Sequence, residues 1–323
     1  MKPDLLQDLP AAFDEGHLAS GDGHALWYAQ YGEPQGIPLF WLHGGPGSAS
    51  SLRHIGLIDL GRYRLVLADQ RGCGRSLPPG ALQGNETGLL VGDIDRLRAH
   101  LQIDRMVVGG GSWGATLALL YAARHRARVA ALLLRAPFLA SRAEIDACFA
   151  PPAGGPDTGW DAFAALAPPL QRRCLLPWLA QQLASSSQGR QARIARAWSR
   201  YEQQLESGGG PVAEALVGQA AIARYRVQAH YLLHECFIEP DGVLAAARAV
   251  RGVPAAILHG DADRVCPPHN ARLLRRCLPG SRLRMVEGAG HQPFHPGMAA
   301  ALTEALDCYA SNQDFDAWGV GHE

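Results

Sequence analysis

Apolar and polar residues follow one another along this chain in a pattern that predicts buried strands separated by helices. Apolar runs that stop at glycine or proline, at residues 37–47 and 106–114, are typical of buried strands that end in tight turns. Between them, residues 90–101 place leucine and isoleucine at helical intervals. Strands that alternate with helices in this way favour a mostly parallel sheet with helices on both faces.

The pattern changes over residues 138–250, which are rich in alanine, glutamine, arginine and proline and show helical spacing without any alternating strand. Strand-and-turn patterns return at residues 253–268 and 281–291. We therefore predict an α/β fold with a mostly parallel central sheet, formed by residues 1–137 and 251–323 and interrupted by an inserted helical cap over residues 138–250.

Composition and charge exclude several classes of partner. The 30 basic and 30 acidic residues give a formal net charge of zero, which argues against a nucleic-acid partner. The beginning of the chain lacks an apolar signal region, and no apolar run reaches the roughly 18 residues of a membrane span. The seven cysteines are an odd number and form no C-x-x-C pair, so neither a disulfide framework nor a zinc site is predicted. We expect a cytoplasmic protein with no metal, no organic cofactor and no membrane partner; its oligomeric state stays open.

Ser112 is the candidate nucleophile. It lies in the G-x-S-x-G pattern of residues 110–114, between a predicted strand and a predicted helix. In a nucleophile elbow the serine occupies a strained strand-to-helix turn that tolerates only small neighbours. The start of the helix also places backbone N–H groups and a positive dipole beside the hydroxyl. The alternative is a glycine-rich turn with an incidental serine, and the flanking strand and helix favour the nucleophile.

A serine hydroxyl needs a base to remove its proton, and the end of the chain offers one together with an acid. Asp261 and Asp263 follow a predicted strand, and His291 follows the next one. The order serine, acid, histidine is that of the α/β hydrolases. From these residues alone, both aspartates remain candidates for the acid. The Gly-x-Gly-His context favours His291 as the base, and His295 is the weaker rival.

An oxyanion requires backbone N–H donors near the nucleophile. Residues 43–47, with the sequence HGGPG, follow the third predicted strand and resemble the glycine-rich oxyanion loop of this fold, in which the backbone can approach a reacting carbonyl closely. The alternative is an ordinary tight turn. The second donor is expected from the residue after the nucleophile, Trp113.

Five segments together make the chain resemble the proline iminopeptidases (prolyl aminopeptidases), which are α/β-hydrolase serine peptidases that remove N-terminal proline. The resemblance covers about residues 15–310 and is carried, in order, by WLHGGPG, DQRGCGRS, GGSWGATLALLYA, LHGDADRVCPP and VEGAGH. It implies that Ser112 is the nucleophile and His291 the base. It also implies that Asp263 is the acid, because the family's acid is the last residue of HG-x-x-D.

The same resemblance implies residues for the oxyanion and for the substrate amine. The backbone N–H groups at the oxyanion would be those of Gly44, Gly45 and Trp113. Members of the family bind the free amine with two acidic cap residues, and Glu202, in AWSRYE, matches the first. The second position carries Gln228, whose amide can offer only a carbonyl oxygen where a carboxylate would pair with an ammonium group. Glu239, further along, is a candidate to compensate.

The sequence thus predicts a serine hydrolase, and the resemblance implies an aminopeptidase that releases N-terminal proline, or a similar small residue, from short peptides or amides through an acyl-enzyme. Gln228 motivates an alternative with the same triad, namely an esterase, thioesterase or amidase that acts on a non-peptide substrate, for example in biosynthesis. A non-catalytic binding protein on this fold is a third interpretation, and the complete set of serine, acid and histidine argues against it.

Overall fold

A computed structural model describes residues 10–151, 157–207 and 218–319. Its strands form a sheet in the order β1-β2-β4-β3-β5-β6-β7-β8. β1 and β2 pair antiparallel with each other, and β2 pairs antiparallel with β4, while all other neighbours are parallel. The strands are β1 Asp14–Ala19, β2 Ala25–Gly32, β3 Ile37–Leu42, β4 Tyr63–Ala68, β5 Met106–Gly111, β6 Val129–Arg135, β7 Ala255–Gly260 and β8 Arg282–Val286.

Helices connect the parallel strands, as the alternating pattern predicts, and the α/β fold class is confirmed. The helices are α1 Thr87–His100, α2 Trp113–Arg124, α3 Arg142–Cys148, α4 Thr158–Ala164, α5 Leu175–Ser185, α6 Gln188–Ser207, α7 Gly218–Leu233, α8 Gly242–Ala249, α9 His269–Cys277 and α10 Pro296–Asn312. No helix in these described ranges is both long and apolar enough to cross a membrane.

The helices α3 to α8 lie between β6 and β7, and within the described residues no strand interrupts them. The last of them, α8, packs against α2 and α9 rather than against the other inserted helices. The division into a core and a cap with boundaries at residues 138 and 250 stays a prediction.

Alternation along the strands buries both faces of the sheet. In β3, Phe40 and Leu42 belong to one apolar cluster, and Leu39 and Trp41 belong to another, because successive side chains of a strand point to opposite faces. The second cluster is covered by α10. The first is covered by α1 and α2 and continues without a break into aromatic side chains of α4, α6 and α7, which are Trp160, Phe163, Trp198 and Tyr225.

Two glycines let α2 approach the sheet at the point where β5 ends. A Cβ atom on Gly114 would lie 2.1 Å from the carbonyl oxygen of Leu42, and one on Gly110 would lie 2.6 Å from the carbonyl carbon of Gly114. Neither distance is possible between non-bonded atoms, so any side chain here would force α2 away from β3. The small residues of the motif are therefore required by packing.

Replacing Gly114 by alanine is expected to lower the free energy of unfolding by about 3 kcal/mol or more, because the added methyl group overlaps a backbone atom that cannot turn away. The matched control is Gly92→Ala in α1, where nothing lies within 4 Å of the Cβ position. This control should stabilise the protein by about 0.5–1 kcal/mol through helix propensity. Denaturant unfolding measures both, and equal stability of Gly114→Ala and wild type would contradict the expectation.

Candidate active site

A cavity of about 790 Å³ lies between the carboxyl ends of the parallel strands and the inserted helices. Loops that follow β3, β5, β7 and β8 supply its floor, and α3, α6 and α7 supply its walls. This is the edge at which α/β sheets bind their ligands. Residues of the floor are Gly44, Gly45, Ser112, Cys266 and His291, and residues of the walls include Phe149, Trp198, Tyr201, Glu202, Glu206, Arg224 and Gln228.

Ser112 occupies the sharp turn between β5 and α2 that the sequence pattern predicts. Its φ of 58° and ψ of −122° lie outside the regions that a residue with a side chain normally adopts. The surrounding hydrogen bonds hold this conformation: the Ser112 N–H donates to the Arg135 carbonyl at 2.9 Å, and the Ser112 carbonyl accepts from the Ala115 N–H at 3.0 Å. The turn therefore presents the hydroxyl to the cavity from a fixed backbone.

Asp263 and His291 form a buried pair in which His291 Nδ1 lies 2.8 Å from Asp263 Oδ2. The other carboxylate oxygen accepts the backbone N–H groups of Val265 and Cys266 at 2.8 and 2.9 Å. Burial opposes ionisation of Asp263, but His291 and His259 outweigh it and hold the pKa of this carboxyl well below its usual range. An ionised Asp263 keeps the proton of His291 on Nδ1 and leaves Nε2 free to act as a base.

The two rival residues lie elsewhere. Asp261 is exposed, and its Oδ1 accepts the Gly288 N–H at 2.8 Å. His295 precedes α10 and is not among the residues that line the cavity. The structure therefore brings Ser112 and His291 to one cavity, with Asp263 bonded to His291, and places neither Asp261 nor His295 with them.

The expected oxyanion loop lies directly beside Ser112. Gly44 and Gly45 line the cavity, and a Cβ atom on Gly44 would lie 3.5 Å from the Ser112 Cβ. Gly45 has a φ of 118°, which suits only glycine. Trp113 is the first residue of α2, and the first N–H groups of a helix have no partner within the helix. The N–H groups needed for an oxyanion are thus near the nucleophile.

Gln70 links the oxyanion loop to the start of α2, a role that the sequence analysis missed. Its N–H donates to His43 Nε2 at 3.0 Å, and its side chain donates to the His43 carbonyl and accepts from Trp113 Nε1, both at 2.9 Å. Because His43 Nε2 accepts, the ring proton is on Nδ1, 2.9 Å from the Gly44 carbonyl. Burial lowers the pKa of His43 and keeps the ring neutral. Gln70 lies in DQRGCGRS, one of the segments that carry the family resemblance, and this position was the signal for its role.

Helix α7 rests on the loops of the core through three glycines that have positive φ. A Cβ atom on Gly47 would lie 2.4 Å from the Arg224 carbonyl oxygen, and one on Gly80 would lie 3.1 Å from the Ala223 Cα. A Cβ atom on Gly72 would lie 3.1 Å from a side-chain methyl of α7. The backbone contact at Gly47 packs α7 directly against the oxyanion loop.

On the wall of the cavity, the structure brings Glu202 and Gln228 together. Glu202 Oε1 accepts from Gln228 Nε2 at 2.5 Å, and its Oε2 accepts the Tyr225 hydroxyl at 2.8 Å and Arg224 Nη2 at 3.3 Å. Gln228 is 7 % exposed. The resemblance implied this pairing of positions, although not the hydrogen bond between them.

Glu239 is not part of this site, and the expectation that it compensates for Gln228 requires correction. It is exposed, in the loop before α8, and does not line the cavity. The physical reason is the path of the chain after α7, where Glu235, Cys236 and Phe237 all have positive φ and turn the backbone away from the cavity.

Three further cavity residues were missed. Cys266 Sγ lies 3.8 Å from Ser112 Oγ, and burial raises the pKa of this thiol well above its usual range. Arg135 Nη1 donates to the His291 carbonyl at 2.7 Å and so fixes the loop that carries the base. Glu206 lies one helical turn after Glu202, and this four-residue spacing was a signal that sequence reasoning could have used. Among the residues that the structure describes, no three His, Cys, Asp or Glu side chains are placed to hold a metal ion.

Comparison with known proteins connects this site to a family. Residues 37–297 match the α/β hydrolase fold family. The proline iminopeptidase of Xylella fastidiosa strain Temecula1 is 38 % identical over 303 residues, which cover 92 % of this chain and 96 % of that protein. The proline iminopeptidase of Xanthomonas citri is 37 % identical over 304 residues, which cover 92 % and 97 %. The chain belongs to the proline iminopeptidase family.

Membership of the proline iminopeptidase family establishes that the protein is an enzyme, an α/β hydrolase that resembles prolyl aminopeptidases. A more distant structural likeness concerns the fold alone. The crystal structure of a proline iminopeptidase-related protein from Thermus thermophilus superimposes with a TM-score of 0.60 at 22 % identity, covering 92 % of this chain and 98 % of that one. The fold and the family that the five segments predicted are therefore confirmed.

Proposed function

We propose that this hydrolase is a serine aminopeptidase that releases an N-terminal proline, or a similar small residue, from short peptides or amides. The observation that carries the proposal is a single cavity with two chemically different sides. Ser112 and His291 lie on its floor, and the polar side chains of Glu202, Glu206 and Gln228 lie on its wall. A reactive centre and a site for an amine are the two elements that an aminopeptidase needs.

In the proposed mechanism, His291 Nε2 takes the proton of Ser112 as the hydroxyl oxygen attacks the carbonyl carbon of the first residue. The oxyanion accepts hydrogen bonds from the N–H of Trp113 and from the glycine loop. His291 then returns the proton to the leaving amine, and the acyl-enzyme forms. Water, deprotonated by the same base, releases the product. Asp263 holds His291 in the required tautomer and stabilises its cationic form.

The free enzyme does not need a Ser112–His291 hydrogen bond for this mechanism. Within the described residues, the side-chain contact of Ser112 Oγ is with Cys266 Sγ. Catalytic hydrogen bonds of free enzymes are often long and tighten when the substrate binds. The buried Cys266 thiol is neutral, and it neither competes for the proton nor charges the cavity.

An esterase or thioesterase with the same catalytic residues is the second candidate, and the character of the wall favours it. Arg224 lies 3.3 Å from Glu202 Oε2 and compensates its charge, and Gln228 adds no charge of its own. Aromatic side chains, among them Phe149, Trp198 and Tyr201, supply much of the rest of the lining. A cavity that is largely aromatic and carries little net charge is suited to an uncharged acyl group.

The two candidates are separated by comparing prolyl 4-nitroanilide with its N-acetylated form and with 4-nitrophenyl acetate. We expect kcat/KM for the prolyl compound to exceed that for the N-acetylprolyl compound by about tenfold or more, because acetylation removes the positive charge and the N–H donors. Steady-state kinetics on the wild-type enzyme give both values. Efficient ester cleavage with no preference for the free amine would reject the aminopeptidase and favour the esterase.

A further inference from the structure

The charge of Glu202 is already balanced by neighbouring side chains. Its Oε2 accepts from the Tyr225 hydroxyl at 2.8 Å and from Arg224 Nη2 at 3.3 Å, and its Oε1 accepts from Gln228 Nε2 at 2.5 Å. Both carboxylate oxygens therefore have partners, and one partner is the partly buried guanidinium group of Arg224. A substrate cation gains little attraction from a carboxylate whose charge is matched in this way.

Gln228 is oriented by that bond and is left with a free acceptor. An ionised carboxylate can only accept, so the atom of Gln228 that faces Glu202 must be the amide nitrogen. The carbonyl oxygen Oε1 therefore points away from Glu202. It is buried and has no hydrogen-bond partner among the described residues, and the side chain, 7 % exposed, lines the cavity. A buried acceptor without a partner carries a penalty that a bound donor would remove.

Glu206 is the second carboxylate in this wall, and the described arginines that favour its ionised form, Arg224 and Arg135, lie beyond ion-pair distance from it. In the described part of the chain its hydrogen bond is to Gln292, whose Nε2 donates to Glu206 Oε2, and no ion pair forms with it. Burial raises the pKa of Glu206, while the nearby His291 opposes that rise. The end of α6 also touches the loop of the base, since a Cβ atom on Gly290 would lie 3.2 Å from the Glu206 carbonyl oxygen.

We propose that Glu206, rather than Glu202, is the counter-ion of the substrate's cationic amino group, and that Gln228 Oε1, which lines the same cavity, is the neutral acceptor. Glu202 then acts as a positioning residue that fixes the amide of Gln228. Two free acceptors match the two N–H donors of a protonated N-terminal proline. The inference rests on the proposed function in that it takes the ligand of this wall to be an N-terminal amine.

The test measures amine binding separately from peptide hydrolysis. Prolinamide and N-acetylprolinamide are used as competitive inhibitors of 4-nitrophenyl acetate hydrolysis, and the ratio of their Ki values reports how strongly the enzyme selects the free amine. Glu206→Gln preserves an acceptor for Gln292 and removes only the charge. We expect it to reduce this ratio about ten- to one-hundredfold, the effect of losing one charge-assisted hydrogen bond in a buried site.

Three variants complete the comparison. Glu202→Gln should reduce the ratio less than Glu206→Gln does, and Glu206→Asp, which keeps the charge, should retain most of the selectivity. The exposed Glu287 lies four residues before His291 and outside the cavity, so Glu287→Gln controls for the loss of one negative charge near the base and should leave the ratio unaltered. A larger effect at Glu202, equal losses in Glu206→Asp and Glu206→Gln, or the absence of selectivity in the wild type would each overturn the proposal.

An equal rise of both Ki values in Glu206→Gln would also overturn it, because Glu206 would then act through the loop of His291. A failure of the proposed function would give a different set of results from a failure of the amine site. A wild-type enzyme that does not cleave prolyl 4-nitroanilide, yet loses its selectivity for prolinamide in Glu206→Gln, supports the amine site and rejects the peptidase. Cleavage of the arylamide together with the reversed ranking of Glu202 and Glu206 rejects the amine site as proposed and leaves the peptidase standing.

Discussion

Replacing Ser112 by alanine is expected to lower kcat/KM by about 10⁴-fold or more for amide and ester substrates alike. The variant keeps the oxyanion donors but has no oxygen to attack the carbonyl, and loss of one member of such a triad removes most of the rate enhancement. Steady-state kinetics measure the loss. A fluorophosphonate probe should label the wild-type enzyme at Ser112 and leave the variant unlabelled.

The control for this prediction is the fold of the variant. Ser112 has a φ of 58°, and alanine in that conformation retains the same backbone strain, so thermal unfolding should be close to that of the wild type. Residual activity within about tenfold of the wild type in a folded variant would reject Ser112 as the nucleophile. Cys266, whose Sγ lies 3.8 Å from the serine oxygen, would then be the next residue to replace.

Asp263→Asn is expected to reduce kcat by about 10³- to 10⁴-fold, whereas Asp261→Asn should change it by less than about threefold. Asparagine at position 263 removes the charge that stabilises protonated His291, and its NH₂ group can force the ring into the wrong tautomer. Asp261 is exposed and accepts one backbone N–H at 2.8 Å, which an asparagine oxygen can also accept. Both substitutions remove one negative charge from the same loop, so their ratio isolates the contact with His291. The reverse ranking would overturn the assignment.

Local sequence was enough to predict the elbow at Ser112. A strand, a turn of small residues and a helix are all specified within residues 106–124, and the close approach at Gly114 explains why the motif has its form. Local pattern also favours His291 over His295 through the Gly-x-Gly-His context, although both residues follow the same strand. The contact between His291 and Asp263 joins the loops after two neighbouring strands, β7 and β8, and no local pattern specifies it.

The charged residues of the cavity wall could not be predicted from local sequence. Glu239 is near Gln228 in sequence, but three residues with positive φ lie between them and Glu239 is exposed at the surface. Glu206 was overlooked, although a helix places residues four apart on one face. The pairing of Arg224 with Glu202 joins two helices, and no local pattern indicates it. Contacts between elements determine the charge of this wall.

The packing of α7 against Gly47, Gly72 and Gly80 determines how far the amine site lies from Ser112. Backbone atoms of this helix pack against Gly47 of the oxyanion loop, and an outward swing of the helix would break that packing. The backbone nitrogen of Gln228 is part of this contact, since a Cβ atom on Gly47 would lie 3.0 Å from it. Under the proposed function, this packing keeps the distance between the amine site and Ser112 constant. Only the carbonyl group of the first residue then reaches the nucleophile, so the enzyme removes a single N-terminal residue.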